Sequence, residues 1–288
     1  MFRDPRELLN GCVDVSSLPM IFFRLNEAMN CPRSSIADIS KIIAENPGLT
    51  ARLLRIVNSP LYNFPGKIET ISRAVVILGT QQLRDLALAT SVLKLFDRIP
   101  EDLVSMESFW QHSVACGLAA RILATYRNEP NVERLFVAGI LHDIGRLIIY
   151  SKIGDLAREA LVRAQARSML LREAEQEVIG FDHAAVGRVA VRAWRLPASL
   201  EEVVGFHHHP REAARFPVEA AIVHIADLIA HVLELGTSGE RFVPPLEKEA
   251  WERVALPTSV LSRAMEQVDR QFTDVLRLML PDAKLCAN

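Results

Sequence analysis

The chain has 288 residues, 50% of them hydrophobic and 24% charged, enough for one large or two modest domains with sizeable cores. A formal net charge of −2 excludes the basic footprint of a nucleic-acid or anionic-membrane binder. The amino terminus, MFRDPRELLN, has no apolar stretch of the kind a secretory leader needs.

Apolar residues recur at helical spacing nearly everywhere and no run alternates with period two, so the expected fold is all-α. SSIADISKIIAEN places Ser35 as an N-cap, with Ile36, Ile39, Ile42 and Ile43 on one face. PGLTARLLRIVNS follows with its own stripe of Leu49, Leu53, Leu54 and Val57. Residues 59–70 read as a loop punctuated by Pro60, Pro65 and Gly66, and 71–96 as two helices meeting at Gly79–Thr80. Pro100 and flanking charges make DRIPEDLVS (97–105) the expected boundary of an amino-terminal unit, 1–104.

Beyond it the pattern predicts helices around 107–126, 132–150, 155–168, 170–179, 183–195, 198–208 and 217–235. A loop, GTSGERFVPP (236–245), opens a carboxy-terminal extension, 236–288, with helices near 247–253 and 258–279. The most apolar long window, AAIVHIADLIAHVL (220–233), is too short to span a bilayer. Cys12, Cys31, Cys116 and Cys286 form no C-x-x-C pair, which fits free thiols in a reducing cytoplasm.

All eight histidines lie at residue 112 or later. That segregation favours a histidine-rich site in the second half of the chain. His142 and Asp143 interrupt the apolar run AGILHDIGRLIIY (138–150), expected as one buried helix. Burying this pair costs several kcal/mol without a partner. A metal ion or a hydrogen-bonded pair linking helices each accounts for it. Imidazole and carboxylate together suit zinc, iron or manganese. His112 on the preceding helix and Asp227 on a later one are the natural complements. His224 and His231, on the face of Asp227, are expected as hydrogen-bonded core residues, and His209 as the solvated end of a helix stopped by Pro210.

NPGLTARLLRIVNSPLYNFPGKIETISRAVVILGTQQLRDLAL (46–88), with its Asn58–Ser59 pair and closing Leu78–Gly79, resembles the HDOD signature of bacterial signalling proteins. SLPMIFFRLNEAMN upstream, FVAGILHDIGRLIIY downstream and GFDHAAVGRVAVRAWRLPASLEEVVGFHHHP (180–210) extend the similarity over roughly 15–235. The resemblance implies a helical core (105–235) similar to that of the HD superfamily of metal-dependent phosphohydrolases. Laid onto this chain, it implies His112, His142, Asp143 and Asp227 as metal ligands, and His183, His207 and His208 as ligands of a possible second metal. Arg146 stands where HD-type hydrolases usually have lysine. It can contact phosphate but cannot donate a proton at neutral pH. The Gly-Tyr-Pro segment that follows the paired histidines in cyclic-dinucleotide hydrolases is absent.

Two functions follow as expectations. The first is a non-catalytic or metal-retaining interaction module in signal transduction, free to oligomerise, with a sensor kinase or a cyclic-dinucleotide enzyme among its conceivable partners. The alternative is a metal-dependent phosphohydrolase of nucleotides or cyclic dinucleotides, with a metal-activated water as nucleophile. Neither nucleic acid nor a membrane is expected as a partner.

Overall fold

The computed structural model describes residues 4–9, 20–31, 33–62, 64–93, 96 and 99–280; Cys12, Cys286 and Asp97–Arg98 of the expected boundary lie outside them. Every regular element among the described residues is helical, as the periodicity predicts. None is long and apolar enough to cross a membrane. The chain divides into two compact units, Leu18–Leu95 with Gln271–Asn288, and Met1–Ser17 with Phe96–Arg270.

The first of these holds α1 (Met20–Asn30), α2 (Ile36–Ala44), α3 (Pro47–Val57), α4 (Ile71–Leu78) and α5 (Thr80–Val92). Ser35 closes a capping box at the start of α2, accepting from Asp38 N while Asp38 accepts from Ser35 N at 2.8 Å. Asn46 caps α3 and Thr70 caps α4. Gly79, at φ 88°, supplies the backbone turn between α4 and α5 that other residues rarely adopt. Asn58 pins the loop after α3: its amide donates to Ile68 O at 2.7 Å and its carbonyl accepts from Ile68 N at 2.7 Å.

The larger unit begins with a 3-10 turn at Pro5–Leu8 and contains α6 (Met106–Arg127), α7 (Val132–Leu141), α8 (Ile144–Lys152), α9 (Gly154–Arg167) and α10 (Leu171–Val178). It continues through α11 (His183–Ala193), α12 (Ala198–Phe206), α13 (Pro217–Val232), α14 (Lys248–Val254) and the first part of α15 (Ser259–Met279). A short 3-10 turn, Pro210–Glu212, follows the histidine triplet.

The expected single helix over 132–150 is two helices, broken at His142–Asp143. Asp143 has φ −97° and ψ 11°, the bridge region where a helical ladder stops. In an unbroken helix the two side chains would diverge by about 100°. The break lets both face the same interior.

Two contacts between glycines or across a glycine set the helix spacing around that break. A Cβ on Gly139 of α7 would lie 2.6 Å from Gly117 Cα of α6, so these helices touch backbone to backbone. A Cβ on Gly145 of α8 would lie 1.9 Å from the His183 carbonyl oxygen of α11. The histidine-bearing helices are therefore drawn in by residues that carry no side chain. Gly145→Ala is expected to cost about 1–3 kcal/mol by overpacking. Chemical denaturation checks the loss.

Candidate metal centre

Five parts of the larger unit converge on one buried cluster. His112 comes from α6, His142 and Asp143 from the α7–α8 break, His183 from the start of α11, His207 and His208 from the end of α12, and Asp227 from α13. All seven are buried. His112 Nε2 lies 3.1 Å from Asp227 Oδ1, and His142 Nε2 lies 3.5 Å from the same oxygen and 3.4 Å from Asp143 Oδ2. On the other side, Asp143 Oδ1 lies 3.0 Å from His183 Nε2 and 3.7 Å from His207 Nε2. His208 Nε2 sits 2.9 Å from His183 Nε2.

Asp143 thus presents one oxygen to each of two donor groups: His112, His142 and Asp143, and Asp143, His183, His207 and His208. Within each group the donor atoms lie within 4.8 Å of one another.

The outer nitrogens of the rings explain why the inner ones are available. His142 Nδ1 donates to Gly139 O at 2.6 Å, His207 Nδ1 to Val204 O at 2.9 Å, and His183 Nδ1 to Glu175 Oε2 at 2.6 Å. An oxygen acceptor there puts a proton on Nδ1 and turns Nε2 inward. His207 Nε2 is buried with no hydrogen-bond partner, and His142 Nε2 comes no closer than 3.4 Å to a carboxylate oxygen. Leaving such atoms unsatisfied costs about 1–3 kcal/mol each. A divalent cation fits this donor set of imidazole nitrogens and carboxylate oxygens.

Charge leads to the same cation. Burial alone would raise the Asp143 carboxyl, but Arg146, His142 and His183 hold it well below the usual range. Asp227 is likewise held well down, against burial, by His231, His112 and His142. Burial opposes charge on His183 and Arg146 repels it, yet Glu175 and Asp143 outweigh both and hold it up to about 9. His142 is also raised well above its usual value, burial being outweighed by Asp143 and Cys116. Burial lowers His207 and His208; His142 and His183 lower His207 further, and His207 and His183 lower His208. The carboxylates of the metal-free cluster thus favour the charged form of the His142 and His183 rings beside them.

Arg146 is buried, with Nη1 donating to Ser238 Oγ at 2.6 Å and standing 3.6 Å from Asp143 Oδ2. His224 is a core residue, its Nδ1 donating to His207 O at 2.8 Å and its Nε2 accepting from Glu247 N at 3.0 Å. His231, also expected as a core residue, stands at the cluster's edge: its Nε2 is 3.3 Å from Asp227 Oδ1, and with His112 it forms a third donor group. His209 is partly exposed, between Arg172 and Glu247. Glu175 had no signal in the sequence beyond being one acid among several on an amphipathic helix.

Metal uptake must expel the imidazolium protons. Near pH 7.5 it is expected to release protons to the buffer, read by calorimetry in buffers of differing ionisation enthalpy. The His183 share has a raised pKa, so its stabilisation of the metal-free fold is complete below pH 6.5 and disappears as pH rises through about 9. Chelated protein should accordingly lose thermal stability between pH 7 and 9.5.

Residues 15–210 match the family model of the HDOD domain. An uncharacterised protein of Treponema pallidum (strain Nichols) is 20% identical over 230 residues, 79% of this chain; the chain spans 44% of that protein's length. An HDOD domain protein of unknown function from Geobacter sulfurreducens has the same fold, with TM-score 0.77 and 23% identity over 98% of this chain and 97% of its own. A candidate phosphohydrolase from Shewanella amazonensis SB2B gives TM-score 0.73 and 24% identity over 96% and 98%. A candidate signal transduction protein from Marinobacter aquaeolei VT8 gives TM-score 0.68 and 16% identity over 97% and 62%.

Proposed function

The chain belongs to the HDOD domain family, and from that premise we propose that it is a metal-retaining signalling module rather than a hydrolase. His112, His142, Asp143 and Asp227 hold one divalent ion, and His183, His207 and His208, sharing Asp143, hold a second. Zinc, iron and manganese all suit these donors.

One observation carries the reading: the exposure of these seven residues runs from 0% to 6%. A hydrolytic site keeps a coordination position that substrate can reach. Here the donors are enclosed, and Arg146, the residue best suited to phosphate, is committed to Ser238 and Asp143. A bound ion supplies positive charge and a cross-link between helices. The protein's own residues orient the rings and tie the 236–242 loop to α8 through Arg146.

The face that meets a protein partner belongs, on this reading, to the smaller unit. Ile36 of α2 and Val76 and Ile77 of α4 are large, apolar and exposed, Val76 at 69%, on helices that pack together. Exposed apolar groups gathered on neighbouring elements are characteristic of interaction sites. A sensor kinase or a cyclic-dinucleotide enzyme is the kind of partner proposed.

A second reading, a phosphohydrolase, is favoured by one feature: two adjacent donor groups bridged by a single carboxylate resemble a two-metal hydrolytic centre. Elemental analysis of protein purified without chelator, with phosphodiester assays, separates the two. The expected result is at least about one divalent ion per chain, lost with His142→Ala plus Asp143→Ala, and no turnover of bis(p-nitrophenyl) phosphate or a cyclic dinucleotide. Turnover abolished by the double substitution would establish the hydrolase instead. Absence of metal from the unsubstituted protein would defeat both.

A further inference from the structure

Glu175 on α10 is fully buried and lies outside the ligand set proposed above. Its Oε2 accepts two hydrogen bonds from one residue, the ring Nδ1 of His183 at 2.6 Å and the His183 backbone N at 2.9 Å. The first fixes the ring; the second fixes the first turn of the helix that bears it. Asp182 completes the start of α11 by accepting from Ala185 N at 2.9 Å.

The other two inward-facing rings with a bonded Nδ1 are oriented by neutral backbone carbonyls, at Gly139 and Val204. His183 alone of these three is oriented by a carboxylate. A charge-assisted bond is about twice as strong as a neutral one and makes the far nitrogen a better electron donor. That far nitrogen, Nε2, faces Asp143 Oδ1 at 3.0 Å and His208 Nε2 at 2.9 Å.

Glu175 is itself held in place from two directions. Its Oε1 faces Arg146 Nε at 3.8 Å and has no hydrogen-bond partner. Its helix is anchored where Leu171 N donates to Glu240 Oε2 at 2.7 Å. Glu240 stands in the loop whose Ser238 accepts from Arg146.

We infer that Glu175 is a positioning residue that selects His183 Nε2 as the donor to the cluster of Asp143, His207 and His208. It thereby sets that cluster's metal affinity independently of the His112 side. The inference rests on the metal-holding reading above.

The test uses the full chain, stripped of metal and titrated with zinc alone against a chelating indicator, for wild type, Glu175→Ala and Glu175→Gln. Losing an outer-shell partner of this kind weakens metal binding about 10–100-fold. Glu175→Ala should weaken one equivalent of zinc by that factor and leave the His112-side equivalent unchanged. Glu175→Gln keeps an acceptor oxygen without the charge and should fall between.

A second readout needs no metal. The His183 Nδ1 proton, bound to a carboxylate, should give a far-downfield proton resonance in the metal-free wild type that is missing from Glu175→Ala. Zinc affinity unaltered by either substitution, equal weakening of both equivalents, or persistence of the downfield proton in Glu175→Ala overturns the inference. If Glu175→Ala does not fold, Glu175→Gln decides: selective weakening of one equivalent supports the inference, and wild-type affinity overturns it. Wild-type protein that takes up no zinc overturns the metal-holding reading, and this inference with it.

Discussion

The larger unit is organised around one buried carboxylate. Asp143 is almost wholly enclosed, yet it is held ionised by Arg146, His142 and His183. A charge in that position requires compensation from every direction, because desolvation costs several kcal/mol per ion after relaxation. The compensation is divided between its two oxygens. Oδ2 meets His142 and Arg146, and Oδ1 meets His183 and His207. Two donor groups therefore share a residue.

That requirement reaches into the backbone. Two adjacent residues can serve one interior only if the helix carrying them breaks, and the break falls between Leu141 and Ile144. The helices must also approach more closely than ordinary side chains allow, which explains Gly139 against Gly117 and Gly145 against His183. Helix axes normally lie about 8–10 Å apart, set by the side chains at the contact. Removing those side chains at two points shortens the distance from α6 and α11 to Asp143, so the glycines position the site as directly as the histidines do.

Much of this architecture is legible in the sequence, because helices declare themselves by apolar period and by caps. Ser35 with Asp38, and Gly79 between α4 and α5, act where the pattern places them. The segment 132–150 misleads for a physical reason. An apolar run buried on all sides has no amphipathic stripe, so nothing in its period records an interruption. The donors His112, His142, Asp143 and Asp227 are visible as costly polar residues in apolar surroundings, whereas His183, His207 and His208 follow only from the family resemblance; the structure brings all seven together. The sharing of Asp143 is not visible, since it depends on the break. His231 and Glu175 are hidden differently: each lies where sequence offers an ordinary explanation, a core histidine and a surface acid.

The same geometry bears on whether the site is built for turnover or for cohesion. Its donors come from α6, the α7–α8 break, α11, the end of α12 and α13, and three of the histidine rings are locked from behind by Gly139, Val204 and Glu175. Catalysis gains from such preorganisation only where a reacting group can reach the ion. Here the residue that would greet an anion, Arg146, is already spent on Asp143 and on Ser238 of the loop beside α8. An ion held as proposed would be linked to folding, because its binding energy appears only when the segments that supply its donors are in register. On the proposed reading, occupancy would stabilise the packing around Asp143, a property that would serve a scaffold for protein contacts more directly than a hydrolase.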